Sequence, residues 1–287
     1  MAVFASSILP WLRLLRLSGA PSAASGALFG ALLAGASGPP AALVAIAGAL
    51  FFMGAVALND IVDIEKDRRL RPERPLAAGT IGLGAAKKAC AAIFLAGVAL
   101  ASLAGAYHKF WALALVAAIF AYNLWSKHGP LAGANVALCR VLNFAMGVGA
   151  VGSPSLIYPA AGLIFHALGL MALAEGEDDD RPLSYRFYLF ESLAATAVAL
   201  LGCLSVVSVP KISSGIAAMA WVVYLFAILR LCGAGRKGRI RAVGLLVCSY
   251  PLLEGLFLAG TGRSREAALF ALFFLAGVAL SRAMKAG

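Results

Sequence analysis

Polar residues are scarce and clustered along this chain, and the stretches between the clusters are long and apolar. The apolar stretches fall near residues 18–37, 42–62, 83–105, 110–126, 131–152, 157–174, 187–209, 214–231, 241–259 and 266–283. Many of them reach the roughly 20 residues that a helix needs to cross a bilayer. The pattern predicts an all-α membrane protein, and residues 1–287 read as one domain with no soluble insertion. The stretch at 241–259 contains Pro251 and Glu254. If it crosses there are ten spans, and if it only dips into the bilayer there are nine. Residues 1–17 lack the short apolar core and small-residue cleavage site of a signal peptide and read as an amphipathic, juxtamembrane lead-in.

The loops alternate in charge. Gly38-Pro39-Pro40 and residues 153–156 carry none, residues 106–109 hold Lys109, and residues 210–213 hold Lys211. Residues 63–82 and 175–186 are strongly charged, residues 127–130 carry Lys127, and residues 232–240 carry Arg236, Lys237 and Arg239. Because cytoplasmic loops collect Lys and Arg, the charged side and the N-terminus are expected in the cytoplasm. The compartment expected on this reading is a cell inner membrane of bacterial type.

Composition agrees with this picture: 62% of residues are hydrophobic and 13% charged, against about 25% charged in soluble domains. The net charge of +11 follows from the loop pattern and needs no nucleic-acid partner. Cys90, Cys139, Cys203, Cys232 and Cys248 are isolated, without the paired spacing of a metal site. His108, His128 and His166 are too scattered for a histidine metal centre. Glycine and alanine abound, which lets membrane helices approach closely.

The first charged loop carries the most specific chemistry. It opens Asn59-Asp60-Ile61-Val62-Asp63-Ile64-Glu65-Lys66-Asp67. Asp60, Asp63 and Asp67 are spaced i, i+3, i+7 and share one face of a helix. Three carboxylates on one face repel unless a cation neutralises them. Mg2+ suits such a set, since it takes oxygen ligands and commonly bridges one or two carboxylates to substrate phosphates. Arg71 and Arg74 follow, alternating with Pro72 and Pro75, which stop the helix. Guanidinium groups bind phosphate oxygens bidentately, and Gly79 permits the turn back into the membrane.

A second acidic run, Glu175-Gly176-Glu177-Asp178-Asp179-Asp180, lies on the same side. Its Glu175, Glu177, Asp178 and Asp179 are candidate ligands of a second cation. Between the two runs come Tyr122, Lys127, Arg140 and Asn143. Arg140 in an apolar helix needs a cavity or a partner, and with Lys127 it is placed to reach a bound diphosphate. The whole describes an apolar cavity with a polar opening, matched to a molecule with a diphosphate head and a hydrocarbon tail. Glu254, ionisable and inside an apolar stretch, has either a functional role or a helix-end position at the interface.

At this point the chain resembles the UbiA superfamily of intramembrane prenyltransferases. The Asn59-Asp60-x-x-Asp63-x-x-x-Asp67 run looks like the family's first aspartate motif, Arg71-Pro72-Glu73-Arg74-Pro75 with Gly79 like its continuation, and Tyr122 to Lys127 like its Tyr-x-x-x-x-Lys feature. The resemblance implies a bundle of nine or ten transmembrane helices around a cytoplasm-facing cavity. Within it, Mg2+ holds a prenyl diphosphate, and the prenyl group passes to an apolar or aromatic acceptor that the sequence leaves unidentified. Asp60, Asp63, Asp67 and Lys127 would be catalytic. Asn59, Asp60, Asp63 and Asp67 would hold the first ion. Asn59, Arg71, Arg74, Tyr122, Lys127, Arg140 and Asn143 would bind the diphosphate. Two departures stand out: Leu170 and Leu173 precede Glu175 where the family usually has Asp, and Leu17-Ser18-Gly19-Ala20-Pro21 replaces an early Arg-Pro. The run from Lys127 through Cys139-Arg140-x-Leu142-Asn143 is most similar to the UbiA-like subgroup called EboC. A competing reading is a UbiA-like protein that binds or moves a lipid-like metabolite without transfer.

Overall fold

A computed structural model describes residues 2–127, 131–150, 156–174, 212–232 and 235–286. Among these residues the regular structure is all helical. A first helix, α1 (Ala2–Leu14), leads through a short turn at Leu17–Gly19 into α2 (Ala20–Leu33). Then come α3 (Pro39–Val62), the short α4 (Ile64–Leu70), α5 (Leu83–Ala104) and α6 (Ala106–Ala121). They are followed by α7 (Ala132–Val148), α8 (Ile157–Ala174) and α9 (Ile212–Cys232). The last three are α10 (Gly235–Cys248), α11 (Tyr250–Gly260) and α12 (Ser264–Ala286).

Each apolar stretch read from the sequence is largely helical where it is described, and the stretch at 187–209 lies outside the described residues. Five described helices are long and apolar enough to cross a membrane, or six if α10 and α11 form one span bent by 40°. The expected single stretch at 241–259 is thus two helices, broken at Ser249. Pro251 has no N–H to donate there, and the Ser249 hydroxyl takes up the Leu246 carbonyl at 2.9 Å. Apolar side chains such as Leu95, Leu103, Phe110 and Leu272 stand exposed on the outside. In water they would be a liability; on a multi-pass membrane protein they face lipid.

Two cores share one wall. The first gathers Leu14, Phe51, Phe94, Leu115, Ile119 and Met146, so α1 is docked to the bundle through Leu14. The second gathers Phe29, Phe144, Trp221, Tyr250, Phe257 and Phe270. Helices α2 and α7 contribute to both: Ala27, Ala31 and Leu142 face the first, while Phe29, Ala137 and Phe144 face the second. Lipid offers no hydrophobic drive between helices, so such a wall depends on close packing. Gly147 and Gly30 make it possible, since an added β-carbon would lie 1.8 Å from the Ala27 carbonyl oxygen or 2.2 Å from that of Phe144. At the far ends of α7 and α2, side chains bond the carbonyls of the last turn and just beyond it. His108 Nδ1 meets the Met146 oxygen at 2.6 Å, Trp111 donates to Gly149 at 2.8 Å, and Arg263 donates to Leu32 at 2.6 Å.

Candidate active site

A cavity of about 250 Å3 opens between α2, α3, α6 and α7. Its lining follows helical periodicity. Helix α3 supplies Gly48, Phe51, Phe52, Ala55, Val56 and Asn59; α6 and its continuation supply Leu115, Ile119, Tyr122 and Asn123; α7 supplies Val136, Cys139, Arg140 and Asn143. These are the i, i+3, i+4, i+7 positions of single helix faces. From Asn59 to Gly48 the lining runs about 16 Å at 1.5 Å per residue.

The acidic run sits at one end of this cavity, where α3 gives way to α4. The helix hitches at Asp63 (φ −88°, ψ 8°), yet the ladder continues through it, with Asp63 N–H bonding Asn59 at 3.0 Å and Asp67 N–H bonding Asp63 at 2.8 Å. The shared face expected from the spacing therefore survives the break. Asp60 and Asp67 are buried, each 3% exposed. Both turn to Arg74, whose Nη1 lies 3.2 Å from Asp60 Oδ1 and 2.7 Å from Asp67 Oδ2. Asp63 pairs instead with Lys127. Asn59 lines the cavity beside them.

Three local devices aim the cations. Helix α4 ends at Leu70, and the segment to α5 turns at Arg71–Arg74, where Arg74 N–H bonds the Arg71 carbonyl at 3.0 Å, and again at Gly79, with φ +72°. Gly79 thus makes the turn expected of it, in a conformation open to glycine at little cost. Past α6 the chain widens into a π turn over Tyr122–Ser126, closed by Lys127 N–H on the Tyr122 carbonyl at 3.0 Å. On an α-helix, residues five apart point about 140° away from each other. The π turn makes five residues one closed loop, so Tyr122 and Lys127 both reach the site; single π turns favour functional positions. Burial pulls the Lys127 ammonium below the usual lysine pKa, and its bond to Asp63 opposes that pull.

The third cation, Arg16, was expected only as part of the lead-in. Its Nη2 lies 2.8 Å from Asp60 Oδ1, and it lines the cavity. Arg16 adopts φ 41°, ψ 54°, a left-handed conformation that costs a non-glycine residue about 1–2 kcal/mol. The turn Leu17–Gly19 sets it there, pressed against Phe52 through the bare Gly19 backbone. The available signal was its charge, with that of Arg13, just ahead of the apolar stretch at 18–37.

The other expected residues are placed differently. Arg140 and Asn143 line the cavity but engage α2 and α11 instead of the aspartates. The Arg140 guanidinium carbon sits 3.9 Å from the Tyr250 ring centroid, and Asn143 Nδ2 donates to the Ala23 carbonyl at 2.8 Å. Glu254 is buried among the helices, 1% exposed. Arg71 is half-buried at the turn. Glu175, Glu177, Asp178 and Asp179 lie outside the described residues, as does His128.

The donor chemistry fits Mg2+ in one specific way. Asp60, Asp63 and Asp67 present carboxylate oxygens on one face, but their present partners are cations, and no three acidic side chains among the described residues converge as a metal cage. That suits an ion held by one or two carboxylates together with waters and substrate phosphates, the usual habit of Mg2+.

The fold and this site define a class: a multi-pass helical membrane protein with an apolar cavity closed at one end by balanced acids and bases. The UbiA prenyltransferase family model matches residues 23–278, and the chain belongs to that family. It is 36% identical over 133 residues to a digeranylgeranylglyceryl phosphate synthase of Methanoculleus marisnigri, covering 46% of this chain and 47% of that protein. It is likewise 36% identical over 86 residues to one from Ignicoccus hospitalis, covering 29% and 28%. The chain thus matches half or less of the length of these relatives. Among solved structures, a UbiA homologue from Archaeoglobus fulgidus bound to GPP and Mg2+ superimposes with a TM-score of 0.64 at 18% identity, covering 94% of this chain and 99% of that one. A digeranylgeranylglyceryl phosphate synthase gives 0.60 at 18%, covering 89% and 99%.

Proposed function

We propose that this protein is a Mg2+-dependent prenyltransferase whose active site faces the cytoplasm. The observation that carries the reading is the ion-paired set Asp60, Asp63, Asp67, Arg16, Arg74 and Lys127 at the end of an apolar cavity. The family membership supports it, as does the binding of GPP and Mg2+ by the A. fulgidus homologue. A bound Mg2+ supplies electrostatic stabilisation of the departing diphosphate. Asn59, Asp60, Asp63 and Asp67 would hold it, with Glu175, Glu177, Asp178 and Asp179 as the second acidic group. Arg16, Arg74 and Lys127, released from the carboxylates, would turn to the diphosphate oxygens, and Arg71 and Tyr122 would frame them. Phe51, Phe52, Leu115 and Ile119 would sheathe the prenyl chain and keep water from the allylic cation.

In the transfer, the bond between prenyl C1 and the diphosphate oxygen breaks and its electron pair leaves with diphosphate. A lone pair on the acceptor forms the new bond to C1, and the acceptor's proton passes to the diphosphate. The names of the relatives favour an acceptor that carries a glyceryl phosphate over an aromatic one. The test is binding of geranyl and farnesyl diphosphate to purified protein across a Mg2+ titration. Wild type should bind only with Mg2+, and Asp63→Ala and Asp178→Ala should each weaken binding by about 100-fold, the value of roughly two charge-assisted bonds. Absence of Mg2+-dependent binding in wild type would sink the reading.

A further inference from the structure

The polar groups on the cavity wall fall into two sets. Those at the α3–α4 junction are mutually paired. Those farther along α6 and α7 are not all so, since Asn123 Oδ1 and Asn143 Oδ1 both lack a partner. Asn143 is 6% exposed and lines the cavity. Its Nδ2 is used by the Ala23 carbonyl, while its Oδ1 has no partner. That oxygen looks across the bare backbone of Gly48, another lining residue, where an added β-carbon would stand 2.8 Å from it. Beside it, Arg140 rests on the Tyr250 ring at 3.9 Å and reaches Ser22 Oγ only at 3.4 Å. Next to Asn143 across Gly26 is Glu254, also buried, whose Oε2 has no partner. Among the buried groups nearby, His166 Nε2 and Ser249 Oγ lie 3.1 Å apart. Leaving an amide oxygen buried and unbonded costs about 1–3 kcal/mol, so a wall built this way is completed by something that binds it.

We propose that Arg140 and Asn143 form the acceptor subsite of this enzyme and that the acceptor presents a hydroxyl group to them. The donor and acceptor inventory dictates the chemistry. Arg140 can only donate, and the free atom of Asn143 can only accept. A hydroxyl does both at once, taking a bond from the guanidinium and giving one to Oδ1. A carboxylate or phosphate oxygen satisfies Arg140 but faces Oδ1 with a second acceptor, and an alkyl group satisfies neither. A site built to bond a hydroxyl rejects the analogue lacking it, because its own buried groups are then left unpaired. The assignment removes these two residues from the diphosphate-binding set and rests on the prenyl-transfer reading.

The experiment uses the full chain in lipid nanodiscs, with empty nanodiscs as blank. Hexylglycerol, its di-O-methyl ether and hexanoate are titrated calorimetrically, and farnesyl diphosphate with Mg2+ is titrated separately. Wild type should bind hexylglycerol at least about tenfold more tightly than the ether or the acid. Asn143→Leu and Arg140→Met should erase that preference while moving farnesyl diphosphate affinity by less than about threefold, the size of a lost surface contact. Equal binding of hexylglycerol and the ether by wild type overturns the proposal without needing any variant. So does tighter binding of hexanoate, or an equal loss of farnesyl diphosphate affinity in both variants. Failure of wild type to bind farnesyl diphosphate at all, with the hydroxyl preference intact, counts against the transfer reading and leaves the subsite standing.

Discussion

The two polar regions of this cavity solve opposite problems with similar residues. At the α3–α4 junction, Asp60, Asp63 and Asp67 are held by Arg16, Arg74 and Lys127. On the α7–α11 side, Glu254 and Asn143 are just as buried but keep oxygen atoms with no partner. The first region is self-sufficient without ligand: its charges are balanced, and under the proposed function a diphosphate with its cation would exchange partners with it. The second is incomplete without ligand. A buried carboxylate therefore contributes to stability or subtracts from it according to what sits beside it.

The sharpest way to break this comparison is to remove the shared cation of the first region. Arg74 binds both Asp60 and Asp67, which are buried. Arg74→Ala is expected to lose about 3–5 kcal/mol of stability, the cost of an uncompensated buried charge. Adding Asp60→Asn and Asp67→Asn to that variant should restore most of the loss while leaving Mg2+-dependent prenyl diphosphate binding abolished. Thermal unfolding in detergent, with and without ligand, separates the two effects. Full stability of Arg74→Ala alone would show that the pairing is not what holds the junction.

The second region should answer with the opposite sign and a smaller size. Glu254 keeps one oxygen unpartnered, and its polar neighbours are the Ser25 hydroxyl and, across Gly26, the Asn143 amide. Replacing such a group by an apolar residue of similar volume is often neutral or stabilising. Glu254→Leu is expected to gain about 1 kcal/mol in thermal unfolding, offset in part by the lost bond to Ser25, and to lower turnover. A clear loss of stability would mean that the carboxyl is already satisfied and would close the gap between the two regions.

The apolar and small residues fixed most of the fold in advance, because span length and loop charge are one-dimensional properties. The described spans agree with the apolar stretches to within a few residues, and the break at Ser249 was foreshadowed by Pro251. The first aspartate motif was legible for the same reason: its spacing is local to one helix. What the sequence hid is what depends on distant segments meeting. Arg16 reaches Asp60 across 44 positions, and only a left-handed turn sends it there. The π turn at Tyr122–Ser126 leaves no pattern, since its apolar residues suit an α-helix equally well. Arg140 was seen to need a partner, but whether that partner was a diphosphate or the Tyr250 ring depended on where α11 packs.

The smallest expected effect comes from a pair that looks, on paper, like the ones at the junction. Arg68 Nη1 lies 2.7 Å from Glu65 Oε1, as short as the Arg74–Asp67 contact, and sits on the same α4 helix as Asp67. The difference is water. The Arg68 and Glu65 side chains are 52% and 74% exposed, against 22% and 4% for Arg74 and Asp67. An exposed i, i+3 pair gains little Coulomb energy and gives up side-chain entropy to hold its geometry, so its net value is about 0.5 kcal/mol or less. Arg68→Ala should therefore shift the unfolding midpoint barely at all, and 0.5 M salt should erase what shift there is, whereas neither statement should hold for Arg74→Ala. If the two arginines proved equally costly to remove, burial would not be what distinguishes them, and the long-range field of the acidic motif would have to be.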